Sequence, residues 1–325
     1  MRKKSSRGVV AVIIVSYNTR DLLRGCLASL KGPGRKRPPH VVVVDNASSD
    51  GSVEMVRKEF SWVELIANDR NAGFAAANNQ ALRCTPEEFI LCLNPDTIVE
   101  ENTIRNSVDY LRANPDVGLL GCRINNPDGT LQLSARRFPS LWTLIVEMTG
   151  LYKVAPSGWT IFNPWIVRTN GPVDTDVVKG AFFLLRKKAL EVVGTFDERF
   201  ALYSEEADWC RRARTAGWRV VYFPQVQITH LEGASSVVRR NSAKFLLLES
   251  EAAYFRKHHG NLMAILVLLL WWTGALLRVI GWLGVWAFRR IQGRTTAHSL
   301  ERLRFYGLMV EWITLRPFRE PSRLP

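Results

Sequence analysis

Cysteine is scarce in this chain, and its cysteines follow no recognisable spacing. The 325 residues include five of them, scattered as Cys26, Cys84, Cys92, Cys122 and Cys210. The absence of a CxxC spacing argues against a zinc site, and the scatter argues against the disulfide framework of a small secreted domain. We therefore expect a protein of a reducing compartment.

Several familiar catalytic motifs are absent as well. The sequence contains no GxxxxGK(S/T), GxGxxG, HExxH or GxSxG motif. It therefore gives no support to a P-loop kinase, a dinucleotide-dependent dehydrogenase, a zinc protease or a serine hydrolase. The apolar run from Val9 to Val15 is too short for the core of a signal peptide and leads into polar residues, so no export signal is expected.

Positive charge, by contrast, is abundant, and its position narrows the choice of partner. The formal net charge of +14 indicates a polyanionic partner. The basic residues collect at the N-terminus, in one loop and in the C-terminal region: Arg2, Lys3, Lys4 and Arg7, then Arg35, Lys36 and Arg37, then the residues after Arg256. Because they do not alternate with aromatic residues, we expect phosphorylated ligands or anionic lipid and no nucleic acid.

Residues 8 to about 242 alternate short β-branched runs with amphipathic stretches, a pattern typical of strands joined by crossover helices. We predict strands over 9–17, 41–45, 63–66 and 89–94, and helices over 21–30, 52–60, 74–82 and 205–216. Asn18 or Thr19 can cap the first helix. Residues 122–176 are irregular and rich in Trp, Pro and Gly, which predicts a long acceptor-side insertion or lid. We assign residues 1–240 to a catalytic domain and 241–325 to a helical region.

The C-terminal region contains a long apolar stretch from Leu262 to Phe288, interrupted by Arg278. A single straight membrane span is not favoured, because basic residues flank both ends and cytoplasmic flanks are the ones that collect them. A re-entrant hairpin or an interfacial helix pair fits better, with a second apolar face over 303–318 and four tryptophans at headgroup level: Trp271, Trp272, Trp282 and Trp286. The alternative is an ordinary buried helix.

Polar residues stand where three of the predicted strands end: Ser16, Tyr17 and Asn18, then Asp45 and Asn46, then Asn94 and Asp96. Ligands of open parallel sheets bind at this edge. Asp45 can accept a hydrogen bond from a nucleobase or a ribose, and Asp96 can hold a divalent cation beside a diphosphate. The alternative for both is a role in a turn.

Two further candidates come from the second half of the chain. Adjacent carboxylates such as Glu205 and Glu206 can raise one another's pKa, which suits a general base, although carboxylates at a helix start also simply stabilise its dipole. Asp208 belongs to the same helix start. His230 could complete a metal site with Asp96, although a single histidine is more often structural.

The motifs, taken in order, resemble family 2 glycosyltransferases of the GT-A fold, in particular their bacterial rhamnosyltransferase-like branch. The resemblance covers about two thirds of the chain and rests on VIIVSYN, VVVVDNASSDGS, NDRNAGFAAANN, LCLNPDT, VVKGAFFLLRKKALEVVGTFDERF, LYSEEADWCRRARTAGW and ITHLEGASS, between residues 12 and 236. It implies a nucleotide-binding mixed sheet flanked by helices, with a C-terminal helical region that associates with a membrane.

The resemblance also implies roles for individual residues. The nucleotide pocket would be lined by Tyr17, Asn18, Asp45, Asn71, Gly73 and Asn94, with Asp45 on the base and Asn94 at the ribose. Asp96 and His230 would bind a divalent metal, Mn or Mg. Glu206 would be the base that deprotonates the acceptor hydroxyl, with Glu205 next and Asp208 third. Lys179 would stabilise the leaving group if no metal does so.

Two motifs depart from the family pattern. The DXD-like element is Asn-Pro-Asp, which leaves one carboxylate for the metal, and the ED pair is Glu-Glu, which leaves open which glutamate acts. We expect an inverting enzyme that moves a sugar, rhamnose from dTDP-rhamnose in the first instance, to a glycan or lipid-linked acceptor in cell-envelope polysaccharide synthesis. It would work at the cytoplasmic face of the cell membrane. The alternatives are a UDP-sugar donor, or a nucleotide- or glycan-binding membrane scaffold without turnover.

Overall fold

The structure is a computed structural model that describes residues 9–31, 38–149, 151, 166, 168–200, 202–231 and 240–315. The basic residues noted at the N-terminus and at 35–37 lie outside these ranges. The described residues form two compact units. The sheet unit contains the residues up to 138 and from 166 to 231, and the helical unit contains 139–151 and 240–315. The proposed division of the chain at residue 240 stays a prediction.

The main sheet of the sheet unit is mixed, as expected, and has nine strands in the described part of the chain. Its strands are β1 (Val10–Ser16), β2 (His40–Asp45), β3 (Glu64–Ala67), β4 (Phe89–Leu93), β5 (Thr97–Val99), β6 (Val117–Asn125), β8 (Val173–Asp174), β10 (Phe182–Arg186) and β11 (Arg219–His230). The order is β3-β2-β1-β4-β10-β6-β11-β5, and β8 pairs with β11. A separate antiparallel pair joins β7 (Ala135–Arg136) to β9 (Val177–Val178).

The central strands β1, β2 and β4 are buried over nearly their whole length, which explains why their sequences are apolar without alternation. They run parallel, with Ser16 opposite Asp45, so their carboxyl ends meet at one edge of the sheet. β10 is antiparallel to both β4 and β6, and β11 is parallel to β6. His230, the last residue of β11, therefore lies at the same edge, which we call the carboxyl edge.

The helices of the sheet unit are α1 (Arg20–Lys31), α2 (Ser52–Glu59), α3 (Phe74–Cys84), α4 (Thr103–Ala113), α6 (Lys187–Val193) and α7 (Glu205–Thr215). α1 buries Leu23, Leu27 and Leu30, the leucines whose spacing predicted it. Its first N–H group, on Arg20, donates to the Asp50 carboxylate at 2.8 Å. The start of α1 is thus capped from the next loop, a partner that the local sequence did not suggest.

The stretch expected to be an irregular insertion is more regular than predicted where it is described. β6 continues to Asn125 and pairs with β11 as far as Thr229. β7 then pairs with β9, and α5 (Leu141–Thr149) follows. The composition misled us because residues such as Pro127, Gly129, Gly171 and Pro172 lie in the turns between these short elements, and five more of the twelve Trp, Pro and Gly residues lie in 152–165, outside the described residues.

The helical unit is built from α5, α8 (Arg240–His259), α9 (Asn261–Ile291) and α10 (Ala297–Leu315). Its core contains Leu248 and Ala252 of α8, Leu268 of α9, and Met309 and Ile313 of α10. α9 is the one helix of the described residues that is long and apolar enough to cross a membrane.

One expectation for this region was wrong. α9 continues through Arg278 without a break, so the re-entrant hairpin does not form. The arginine side chain is accommodated within the unit, where its guanidinium donates to the carbonyl oxygen of Met148 at 2.6 Å. Trp271 and Trp272 are half-buried, pack against the core of the unit and donate to Glu251 and Thr314. The expected position of the tryptophans at headgroup level stays a prediction. Residues 316–318 of the expected second apolar face lie outside the described residues.

Candidate functional site

Asp45 lies at the end of β2, and only one of its two carboxylate oxygens accepts a hydrogen bond from the described residues. Its side chain is buried, and Oδ1 accepts a hydrogen bond of 2.8 Å from the Ser48 N–H group. Oδ2 is equally buried and accepts no hydrogen bond from the described residues. A buried acceptor without a donor is costly. A ligand N–H or O–H group at the carboxyl edge would remove that cost, which fits the predicted role in base binding.

Tyr17 and Asn18 lie in the loop after β1, which is tied to the loop after β2. The backbone of Asn18 adopts φ 52°, its N–H group donates to Ser48 Oγ at 2.9 Å, and its side-chain oxygen accepts from the Ser49 N–H group at 2.8 Å. Asn18 therefore shapes the loop with the atoms that were expected to face the nucleotide. The Tyr17 ring, 40% exposed, remains accessible at the edge.

Asn46 organises the approach to α3, and sequence reasoning gave it no role of its own. Its amide nitrogen donates to Asn71 Oδ1 at 2.8 Å, and its oxygen accepts from the Ala72 N–H group at 2.9 Å. Asn71 Oδ1 also accepts from the Gly73 N–H group at 3.0 Å. Gly73 has φ 86°, which favours glycine. Asn71 and Gly73 thus set the start of α3, whose N-terminal dipole favours a bound anion.

Asp96 and His230, 134 residues apart in sequence, meet at the carboxyl edge. Asp96 Oδ1 lies 3.1 Å from His230 Nε2, with side-chain exposures of 1% and 5%. The sheet holds them there, because Thr97 of β5 is in register with His230 of β11. The Leu231 N–H group also donates to the Asp96 carbonyl oxygen at 2.9 Å.

Gln132 orients the imidazole, a role that the sequence did not indicate. Its side-chain oxygen lies 3.0 Å from His230 Nδ1 and accepts from Lys179 Nζ at 3.1 Å. Its amide nitrogen donates to the His230 carbonyl oxygen at 2.9 Å. Since an amide oxygen only accepts, the Nδ1–H group of His230 donates to Gln132. Nε2 is therefore the ring nitrogen that faces Asp96 and is available to a metal.

The spacing of this pair suits a shared divalent cation. In octahedral coordination with ligands at about 2.1 Å, neighbouring ligand atoms are about 3.0 Å apart, close to the distance between Asp96 Oδ1 and His230 Nε2. The described residues contain no cluster of three or more acidic, histidine or cysteine side chains that could hold a metal. Oxygens of a diphosphate and water would therefore have to complete the coordination. Asn94, also predicted here, lies half-buried just after β4.

Glu205 and Glu206 open α7 in different surroundings. Glu206 forms an ion pair with Arg136 of β7 at 2.7 Å, and its other oxygen, Oε2, is buried without a hydrogen bond from the described residues. Glu205 is more deeply buried. Burial, reinforced by the neighbouring charge of Glu206, raises the pKa of Glu205 well above the usual range. The two glutamates thus differ in surroundings: Glu206 is paired with a guanidinium, and Glu205 is held where burial disfavours the charged form.

Asp208 points elsewhere in the same helix. Its side chain is fully buried and pairs with Arg212 at 2.9 Å, one turn along α7. The guanidinium of Arg212 also donates to the carbonyl oxygens of Val193 and Thr195. This arrangement fastens α7 to the segment after α6, which gives Asp208 a structural task.

The residues before α7 have unusual backbone geometry. Tyr203 and Ser204 both have left-handed φ values, 69° and 66°. For residues other than glycine this conformation costs about 1–3 kcal/mol each and is concentrated at functional sites. This backbone conformation sets the direction in which α7 begins and therefore the positions of the Glu205 and Glu206 side chains.

One short segment lies between His230 and Glu206. Gln132 contacts His230, and Arg136 contacts Glu206. Arg136 follows Gln132 by four positions, so their backbones are at most about 14 Å apart. Lys179 contacts this segment twice, since its N–H group donates to the Ser134 carbonyl oxygen at 2.8 Å and its Nζ to Gln132. His230, Lys179 and Glu206 are therefore linked through residues 132–136.

Comparison with known proteins identifies the family. The sequence model described as "Glycosyl transferase family 2" matches residues 11–194. The chain belongs to glycosyltransferase family 2. It is 30% identical over 245 residues to the N-acetylglucosaminyl-diphospho-decaprenol L-rhamnosyltransferase of Mycobacterium tuberculosis, covering 70% of this chain and 78% of the relative. It is 26% identical over 231 residues to rhamnosyltransferase WbbL of Escherichia coli, covering 68% and 83%. The rhamnosyltransferase-like branch is thereby confirmed.

Solved structures confirm the GT-A type of fold. The mannosyltransferase PcManGT from Pyrobaculum calidifontis, in complex with GDP-Man and Mn2+, is similar with a TM-score of 0.53 and 18% identity, covering 95% of this chain and 88% of that one. GalNAc-T7 with UDP, GalNAc and Mn2+ is similar with a TM-score of 0.54 and 14% identity, covering 96% and 57%. At these identities the likeness concerns the fold alone.

Proposed function

We propose that this family 2 glycosyltransferase transfers rhamnose from dTDP-rhamnose, with inversion, to a lipid-linked glycan acceptor in cell-envelope polysaccharide synthesis. The sugar and the acceptor follow the names of the relatives, one of which is an N-acetylglucosaminyl-diphospho-decaprenol L-rhamnosyltransferase, and dTDP as its carrier is the expectation from the sequence motifs. The observation that carries the proposal is the oriented pair of Asp96 and His230 at the same edge as the half-satisfied carboxylate of Asp45.

In this proposal the carboxyl edge binds the donor. Asp45 Oδ2 accepts a hydrogen bond from the nucleoside, and the α3 start set by Asn71 and Gly73 faces the nucleotide. Asp96 and His230 hold a Mn or Mg ion, which when bound neutralises the charge that develops on the diphosphate leaving group. Lys179 stands beside Gln132 as a second source of positive charge. Asn94 reaches the ribose.

Glu206 is the proposed base. An inverting transfer is one in-line displacement, so a single carboxylate must remove the acceptor proton as the bond to the sugar forms. Arg136 holds one oxygen of Glu206 and leaves the buried Oε2 to accept that proton. Glu205 is second choice, because its raised pKa favours the protonated form. Asp208 comes third, because its carboxylate is engaged by Arg212.

Membrane association at the cytoplasmic face is part of the proposal. Its support is the apolar helix α9 and the lipid-linked substrate in the name of the mycobacterial relative. The protein should sediment with membranes and should be released by detergent more completely than by salt. Complete release of the protein by salt alone would contradict the proposed membrane association.

The test of the reaction is transfer by the purified full-length protein. dTDP-rhamnose and a polyprenyl-diphospho-N-acetylglucosamine acceptor are supplied with manganese, and the glycolipid product is detected by mass. We expect product carrying one added deoxyhexose, and UDP-hexoses and UDP-galactofuranose serve as competing donors. If product forms only with a UDP-sugar, that sugar nucleotide is the donor and dTDP-rhamnose is not. Donor binding without turnover of any nucleotide sugar would favour the binding scaffold.

A further inference from the structure

The outward face of α9 is an uninterrupted apolar stripe. Six large side chains, each between 54% and 85% exposed, recur along the helix: Leu262, Leu269, Leu277, Ile280, Phe288 and Ile291. At 3.6 residues per turn they fall within an arc of about 100°. Thr273 lies on the same face, and its hydroxyl donates to the Leu269 carbonyl oxygen at 2.8 Å. The face therefore offers water no unsatisfied polar group.

Arg278, the charge within α9, is turned away from this stripe. Its guanidinium donates to the carbonyl oxygens of Met148 and Gly274, at 2.6 and 3.0 Å, and lies 5.8 Å from the centre of the Tyr306 ring. The arginine that interrupts the apolar stretch in the sequence therefore places no charge on the apolar stripe. A large exposed apolar surface of this kind marks an interaction site.

The neighbouring helix α10 shows how α9 can meet a membrane. Three contacts, Trp272 with Thr314, Arg278 with Tyr306 and Trp282 with His298, establish that α10 runs antiparallel along α9. The outward side of α10 exposes the charged residues Glu301, Arg304 and Glu311 beside the apolar Leu308 and Leu315. If α9 crossed the bilayer, these charges would enter the hydrocarbon core, where charged side chains are strongly disfavoured.

The length of α9 agrees with an in-plane position. Its 31 residues extend about 46 Å, whereas the hydrocarbon core is about 30 Å thick. At its end the basic residues Arg289, Arg290 and Arg294 follow the stripe, and Arg290 lies 5.2 Å from the centre of the Trp286 ring. Arginine and tryptophan together are typical of the headgroup region.

We propose that α9 lies in the plane of an anionic membrane surface without crossing it. The apolar stripe faces the acyl chains, Arg289, Arg290 and Arg294 contact lipid phosphates, and the charged side of α10 faces water. This inference rests on the membrane association proposed above and specifies its geometry and its lipid. Charge complementarity selects anionic lipid over a second copy of this basic chain.

The depth of three positions along α9 tests the geometry. Cysteine is introduced in the full-length protein as Leu262→Cys, Leu277→Cys or Ile291→Cys, with the exposed Cys84 changed to serine, and labelled with an environment-sensitive fluorophore. Vesicles of phosphatidylcholine, with or without phosphatidylglycerol, carry quenchers at shallow or deep positions of the acyl chain. We expect blue-shifted emission and equal, shallow quenching at all three positions when phosphatidylglycerol is present. Deep quenching at 277 with shallow ends would show a span and overturn the proposal.

Substitutions on the stripe test the surface itself. Leu269→Glu combined with Ile280→Glu should lower vesicle binding at least about tenfold, since burying each such side chain contributes about that factor. Val192→Glu, on α6 and 67% exposed, is the matched control and should bind as the wild type does. Equal binding by the double variant would overturn the proposal, as would a shift from dimer to monomer in light scattering without vesicles.

Donor turnover on the same samples separates this inference from the proposed reaction. If the protein turns over nucleotide sugar but does not bind vesicles, the in-plane position of α9 is contradicted and the proposed sugar transfer stands. If it binds vesicles as expected without turnover, the proposed reaction is contradicted and the in-plane position stands. Arg289→Gln, Arg290→Gln and Arg294→Gln should each reduce the preference for phosphatidylglycerol by about fivefold.

Discussion

The sheet unit and the helical unit depart from ordinary burial in opposite directions. In the sheet unit, polar groups such as Asp45, Asp96 and His230 are buried at the carboxyl edge. In the helical unit, large apolar side chains of α9 such as Leu277 and Ile291 are exposed. Buried polar groups and exposed apolar surface are the two informative exceptions in a folded protein. We interpret the first kind as a site for a small polar ligand and the second as the surface proposed to meet lipid.

The largest effect is expected at the base. Glu206→Gln should lower turnover by about two to four orders of magnitude while donor affinity changes little, because a general base acts in the transition state. Turnover and donor dissociation constant, measured side by side, check this. Glu205→Gln is the matched control and should retain most activity. If the two variants exchanged behaviour, Glu205 would be the base.

Gln132 tests whether the buried polar network serves the metal. Gln132→Leu removes the acceptor that fixes His230 and should raise the manganese concentration needed for half-maximal turnover by about 10- to 100-fold. Maximal turnover at saturating manganese should recover. Asn126→Ala is the control. The Asn126 side-chain oxygen accepts from the Gln132 amide nitrogen at 2.7 Å, but within the described residues Asn126 has no hydrogen bond to His230. An unchanged manganese requirement in Gln132→Leu would make Gln132 purely structural.

Asp208 tests the distinction between catalytic and structural carboxylates. Asp208→Asn removes the charge that pairs with Arg212 and should lower the free energy of unfolding by about 3 kcal/mol, the usual effect of breaking a buried pair. Folded enzyme should keep its turnover at low temperature. Asp21→Asn, which removes an exposed pair with Arg24, should lower the free energy of unfolding far less, because water screens exposed pairs. Loss of turnover in stable Asp208→Asn protein would give Asp208 a catalytic role.

The smallest effect concerns pH and Glu205. Because its pKa is raised in the folded protein, the native state binds more protons than the unfolded state above the usual glutamate range. Stability should therefore fall as the pH rises through that interval. Glu205→Gln should remove this fall, so its Tm should exceed that of the wild type at about pH 8 by more than at about pH 5. Parallel Tm curves would contradict the assignment.

Sequence alone predicted the features that local chemistry determines. A buried parallel strand and an amphipathic helix each impose their own sequence pattern. The β-branched runs therefore predicted β1, β2 and β4, and the leucine spacing predicted α1. The polar residues at strand ends could be placed at one edge for the same reason. The pairing of Asp96 with His230 could be suggested from their ligand chemistry, and the family resemblance favoured it over a structural role, because nothing local connects positions so far apart.

Long-range partners account for the rest. Asp50 caps α1 and Gln132 orients His230, and neither contact can be inferred from neighbours in sequence. Arg278 looked like a break in an apolar helix because its partner, the Met148 carbonyl oxygen, lies 130 residues away. A charged residue within an apolar run predicts an interruption only if its charge has no partner, and the sequence does not show partners.

The central claim is that Asp96 and His230 hold the cation beside the leaving diphosphate, and a manganese titration of donor turnover tests it most directly. Wild-type turnover should rise with manganese to a plateau and disappear in excess chelator, whereas Asp96→Ala and His230→Ala should lose the plateau or need far more manganese. Full wild-type turnover in excess chelator would contradict the claim and transfer the role to Lys179.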